Sequence, residues 1–136
     1  MRFVLDTNVL VSGLFFGGKP GQIIDWWLAL GKELLVTEAV LAEYDAVLTR
    51  LSKRYPSVPA KRLFQQVVLR SQLVEGADVP LGACPDASDL KFLACALGGA
   101  GKWIISGDKH LLGVDGWRGL RVVSPAAFVT AVIAVG

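Results

Sequence analysis

The chain has 136 residues, 53% of them hydrophobic and 19% charged, with a mean hydropathy of +0.51. That balance excludes intrinsic disorder and fits one domain, residues 1–136, with a single substantial core. Net charge is only +2, yet Ala46–Val74 holds six basic residues (Arg50, Lys53, Arg54, Lys61, Arg62, Arg70) and no acidic ones, so the remaining eight basic and twelve acidic residues carry −4.

In chain order, residues 2–6 (RFVLD) predict a first strand. A helix containing Ile23, Ile24, Trp27 and Leu28 follows, then a short strand over 33–36 (ELLV). From Thr37 the spacing of Val40, Leu41, Tyr44, Val47, Leu48 and Leu51 predicts one face of a helix. Two prolines between Tyr55 and Pro59 break it, and a helical pattern resumes over 60–73, with a weak strand around Leu73–Val79. Asp86 opens a further helix, with Leu90, Leu93, Ala94 and Leu97 on one face and Gly98-Gly99 at its end. Trp103–Ile105 and Leu120–Val123 predict two more strands. Ser124-Pro125 starts the last helix as a cap followed by proline. Alternating strands and helices predict an α/β sandwich around a mainly parallel sheet.

Apolar surplus on this scale points to surface covered by a partner, and a homodimer is expected. The apolar stretch Ala126–Val135 contains Thr130 and falls short of the ~20 residues that cross a bilayer. Asp6 cuts the N-terminal apolar run after three residues, which no signal peptide allows, so a cytoplasmic protein is expected. Cys84 and Cys95 have no second pair to complete a metal site. They read as reduced thiols, with Cys95 packed in a helix; a disulfide stays open. The single histidine, His110, excludes a site of several imidazoles.

Asp6 poses the functional question, because it sits between the apolar runs Phe3-Val4-Leu5 and Val9-Leu10-Val11. A carboxylate there is costly unless its charge is compensated. Ligand sites of parallel sheets lie at the carboxyl ends of the strands. Asp6 ends the first strand, and Asp108 follows the strand 103–105 through Ser106-Gly107. Asp89 lies in the first turn of one helix and Glu43 in the second turn of another. Four carboxylates can thus meet at one rim, and like charges so close call for a cation. Hard divalent ions suit such oxygens, and metal-assisted phosphodiester hydrolysis is the matching chemistry.

Four stretches also resemble the PIN domain family: "LDTNVLVSGL", "LLVTEAVLAEYDAVLTR", "CPDASDLKFLACAL" and "WIISGDKHLL". The likeness runs from about Phe3 to Phe128, and it is strongest to the PIN-family toxins of prokaryotic toxin–antitoxin systems, relatives of VapC-like ribonucleases. It implies a three-layer α/β/α sandwich with a five-stranded sheet, and an endoribonuclease dependent on one or two Mg²⁺ or Mn²⁺ ions. It also implies RNA as substrate and an antitoxin protein as partner. On this resemblance Asp6, Asp89 and Asp108 hold the metal, and Glu43 completes the cluster or orients the attacking water. Asn8, Ser106 and Asp86 support them. Two positions depart from the pattern: Leu90 stands where a further acidic residue is expected, and many members have an acidic or aromatic residue in place of His110.

Each residue also has a plainer reading. Asp6 can be a turn former, Asp89 and Asp108 can cap helices, and Glu43 can be a solvated helix residue. For Asp86, capping is the preferred role. Arg50, Lys53, Arg54, Lys61 and Arg62 are either a solvated face, a surface that tracks RNA phosphates, or a dock for an acidic partner segment. Trp26 and Trp27 read as core or interface residues and His110 as structural. Other functions stay open: a non-catalytic PIN-like RNA-binding or scaffold module, a haloacid dehalogenase-type phosphatase with Asp6 as nucleophile, and a receiver-like phosphoacceptor domain. Asn8 weakens the last two, which want a second acid near Asp6.

Overall fold

Phe3, Val4 and Leu5 have no exposed surface. Successive strand side chains point to opposite faces, so a strand buried at consecutive positions is covered on both sides. In the computed structural model, which describes residues 1–136, these residues lie in β1 (Arg2–Leu5), the central strand of five. The others are β2 (Glu33–Val36), β3 (Gln72–Leu73), β4 (Trp103–Ile105) and β5 (Arg121–Val123). Their order is β3-β2-β1-β4-β5, and every neighbouring pair is parallel. Phe3 stands beside Leu34 on one side and Trp103 on the other. The α/β sandwich expected from the alternation is present.

Seven α-helices join or flank the strands: α1 (Thr7–Phe15), α2 (Gly18–Leu30), α3 (Glu38–Arg54), α4 (Ala60–Arg70), α5 (Leu90–Gly98), α6 (Lys109–Leu112) and α7 (Pro125–Phe128). Helix α5 packs on β1, β2 and β4, whereas α2 packs with α7. The Phe3 ring meets Trp26 at 5.4 Å and Phe128 at 6.3 Å, and Trp103 joins Phe128 at 5.6 Å. Trp26 and the buried Trp27 are core residues, as expected. Both cysteines are buried and free, and burial pushes the Cys95 thiol up to about 12. No helix is long and apolar enough to cross a membrane.

Four elements depart from the sequence pattern. Residues 7–15, whose Val-Leu-Val run shows no helical spacing, form α1, with Val9, Leu10 and Val11 all buried. The helix over 60–73 stops at Arg70, and the strand expected around 73–79 is only Gln72–Leu73. Beyond Val74 the chain leaves the sheet edge, and the Ala77 amide donates to the Ala94 carbonyl of α5 at 3.0 Å. It passes so close to α5 that a Cβ on Gly98 would fall 1.9 Å from the Glu75 carbonyl oxygen. Lastly, Asp86 does not open α5. It caps a short 3-10 turn, Ala87–Asp89, and the α-helix starts at Leu90.

Candidate metal centre

Asp6 is placed at the carboxyl end of β1 by the ladder itself, its amide donating to the Ile105 carbonyl at 3.0 Å. It stands at the N-cap position of α1, but its side chain does not cap the helix. The carboxylate turns across the rim instead, where Ser106 Oγ donates to Oδ2 at 2.6 Å. The same Ser106 oxygen accepts from the Asp108 amide at 2.9 Å, so one buried hydroxyl ties the ends of β1 and β4 together. Asp108 caps α6, accepting from the His110 amide at 3.0 Å. His110 therefore serves the site through its backbone.

Asp89 ends the 3-10 turn and is buried. Its Oδ2 has no hydrogen-bond partner. One carboxylate oxygen each from Asp86, Asp89 and Asp108 lie within 4.8 Å of one another. Asp86 is exposed and accepts from the Ser88 amide at 2.9 Å and the Ser88 hydroxyl at 2.7 Å, which lowers its pKa. The capping role preferred from sequence is present, and the same side chain also reaches the cluster.

Burial raises the pKa of Asp6, and the Asp108 and Glu43 charges add to the rise. The Ser106 hydroxyl offsets part of it, as does the nearby Asn8 amide, although that amide makes no hydrogen bond to the carboxylate. Asp89 is pushed up to about 7. Desolvation is the first cause; next comes Asp108, which favours a proton held between the two carboxyls, then Asp86 and Asp6. Two acids whose pKa values are raised by burial and by neighbouring like charges mark a rim short of positive charge.

Glu43, on α3, is held differently. Its Oε2 accepts from Thr7 Oγ1, and its Oε1 pairs with Lys91 Nζ at 2.5 Å. Asn8 is exposed in the first turn of α1. The five basic candidates are elsewhere: Arg50, Lys53 and Arg54 in the last turns of α3, Lys61 and Arg62 in the first turn of α4, all exposed. Arg54 lies eleven positions after Glu43 on α3, or about 16 Å of helix. A groove of about 700 Å³ runs between the start of α3, the segment 73–76 and α5, and shares only Lys91 with the rim. Sequence reasoning missed Thr7, which directly follows Asp6, and Lys91, two residues past Asp89.

An all-oxygen donor set with one buried oxygen orphaned, and neighbouring acids driven toward protonation, fits a hard divalent cation.

A family profile described as "PIN domain" matches residues 2–110, most of the chain. The protein belongs to the PIN domain family. Among solved structures, this PIN domain is similar to VapBC2 from Rickettsia felis, solved bound to a DNA fragment from its promoter. The two share 13% identity at a TM-score of 0.62, over 91% of this chain and 98% of that one. That likeness concerns the fold alone. No curated protein matches in sequence.

Proposed function

We propose that this PIN domain is a divalent-metal-dependent endoribonuclease, the toxin of a toxin–antitoxin pair. The observation that carries the reading is the buried, partnerless Oδ2 of Asp89 beside the Asp86 and Asp108 carboxylates. Family membership and the likeness to a VapBC complex support it, and membership sets aside the dehalogenase-type phosphatase and the receiver domain. The proposed partners are RNA, an antitoxin protein and a second copy of the chain, in the cytoplasm.

Asp6, Asp89 and Asp108 would hold Mg²⁺ or Mn²⁺, with Asp86 beside them. A bound ion of this kind activates water and offsets negative charge gathering on the phosphate. The protein's own part is positional. Ser106 fixes Asp6 and the start of α6 relative to each other, and Thr7 and Lys91 fix Glu43, which would orient the attacking water. Attack of water on phosphorus with departure of the 3′ oxygen leaves a 5′ phosphate and a 3′ hydroxyl. No covalent intermediate is required.

The test is cleavage of a total RNA sample by the purified protein with Mn²⁺, with Mg²⁺ and with chelator. Metal-restored cleavage yielding 5′-phosphate ends is expected. RNA binding without cleavage under any metal would favour the scaffold module.

The basic ends of α3 and α4 are the proposed phosphate-tracking surface. Replacing Arg54 and Lys61 together by Gln should weaken RNA binding and flatten the slope of log K against log salt by about 1 to 2. An unchanged slope would leave them as solvated charges or a dock for an acidic partner.

A further inference from the structure

Of the five carboxylates at or beside the rim, only Glu43 is ion-paired. Both of its oxygens are engaged, Oε1 by the Lys91 ammonium and Oε2 by the Thr7 hydroxyl. The two paired side chains are only 25% and 27% exposed, so water screens them less than it screens a surface pair. By contrast, no N–H or hydroxyl donor reaches Asp89 Oδ2. The carboxylates are thus divided: an aspartate group lacking a cation, and a glutamate that already has one.

An ammonium is a compact point charge with three donors, able to stand where a metal ion would otherwise sit between oxygens. Each Glu43 oxygen holds one donor and keeps a lone pair, so a divalent ion ligated there would stand beside the Lys91 ammonium. A second ion entering here would meet the Lys91 charge directly. Arginine at this position would keep the charge, whereas glutamine would keep most of the length and remove it.

We infer that Lys91 is the resident counter-ion of Glu43 and takes the place of a second divalent cation, so that the centre holds one ion and Glu43 is a positioning residue beside it. This assignment rests on the metal reading of the rim and adds to it the number of ions and the role of Glu43. It concerns α3 and α5 as a pair, since residues 43 and 91 meet only when the two helices pack.

The experiment is Mn²⁺ binding to the full chain without RNA, with stoichiometry read by calorimetry and by the electron paramagnetic resonance of free Mn²⁺. Wild type and Lys91→Arg should each bind one ion, and Lys91→Gln should bind two. Lys91→Met, which keeps the aliphatic stem, serves as the uncharged variant if the amide disturbs folding; circular dichroism checks both. Two ions in wild type would overturn the assignment. So would one ion in the uncharged variant at unchanged affinity, with the metal reading left standing in either case. No ion bound to wild type would sink the metal reading itself and the assignment with it.

Discussion

Asp6→Asn is expected to lower RNA cleavage by at least about 100-fold, since even the partners of metal ligands cost 10- to 100-fold when lost. The same variant should melt no lower than wild type in chelator. Asp6 is buried beside Asp108 and Glu43, whose charges already raise its pKa, and neutralising one of several like charges relieves repulsion. The asparagine carbonyl can still accept from Ser106 Oγ, so the tie between β1 and β4 survives. With Mn²⁺ present the order should reverse. A ligand at 100 times its dissociation constant adds about 2.7 kcal/mol to the native state, and the variant forgoes most of that. Melting both proteins in chelator and in Mn²⁺ checks this crossing. Equal destabilisation in both conditions would make Asp6 a turn residue, and the nuclease reading would lose its anchor.

The rim was legible because strand ends can be found from sequence. Asp6 and Asp108 directly follow apolar β-rich runs, and parallel pairing then carries them to one edge. Asp89 was legible only as a residue at a helix start. Its burial and its orphaned oxygen depend on how the turn 87–89 seats on the sheet, which no periodicity reports. Asp86 looked like a cap and is one; that its side chain also approaches Asp108 is tertiary geometry. Lys91 was invisible for a related reason. Its position two residues past Asp89 is ordinary for a helix surface, and its role comes from a glutamate 48 residues earlier. Among the elements, α1 escaped because its Val-Leu-Val run shows no helical spacing, and β3 was overextended because the chain leaves the sheet after Val74, whose amide still donates to the Val36 carbonyl, while Val79 packs without pairing. Pattern reasoning reports which residues want burial, not which backbone partners will be close.

In the absence of metal, Asp89→Asn should stabilise the protein by an amount that grows with pH. The folded carboxyl is pushed up to about 7, against roughly 3.9 in the unfolded chain. Below pH ~4 both states hold the proton, so Asp89 adds no pH-dependent penalty there. Between pH ~4 and about 7 the unfolded chain releases the proton while the native state keeps it, and stability is lost as pH rises. Above about 7 both have released it and the loss is complete. Asparagine cannot titrate, and its amide nitrogen stands where the proton was, able to donate to Asp108. Comparing the two proteins cancels carboxylates far from the rim; at the rim, losing the Asp89 charge also relieves Asp108, Asp86 and Asp6, which adds to the gap at high pH. The stability gap should therefore be near zero at pH 4 and on the order of a few kcal/mol at pH 8. Mn²⁺ should close or invert it at pH 8, because the ion stabilises the ionised carboxylate that the variant lacks. Urea unfolding of both proteins at pH 4, 6 and 8, with and without Mn²⁺, measures each part. A gap that stays constant with pH would mean that Asp89 ionises as an exposed carboxylate does, and the crowding of charge at this rim would no longer be evidence of a missing cation.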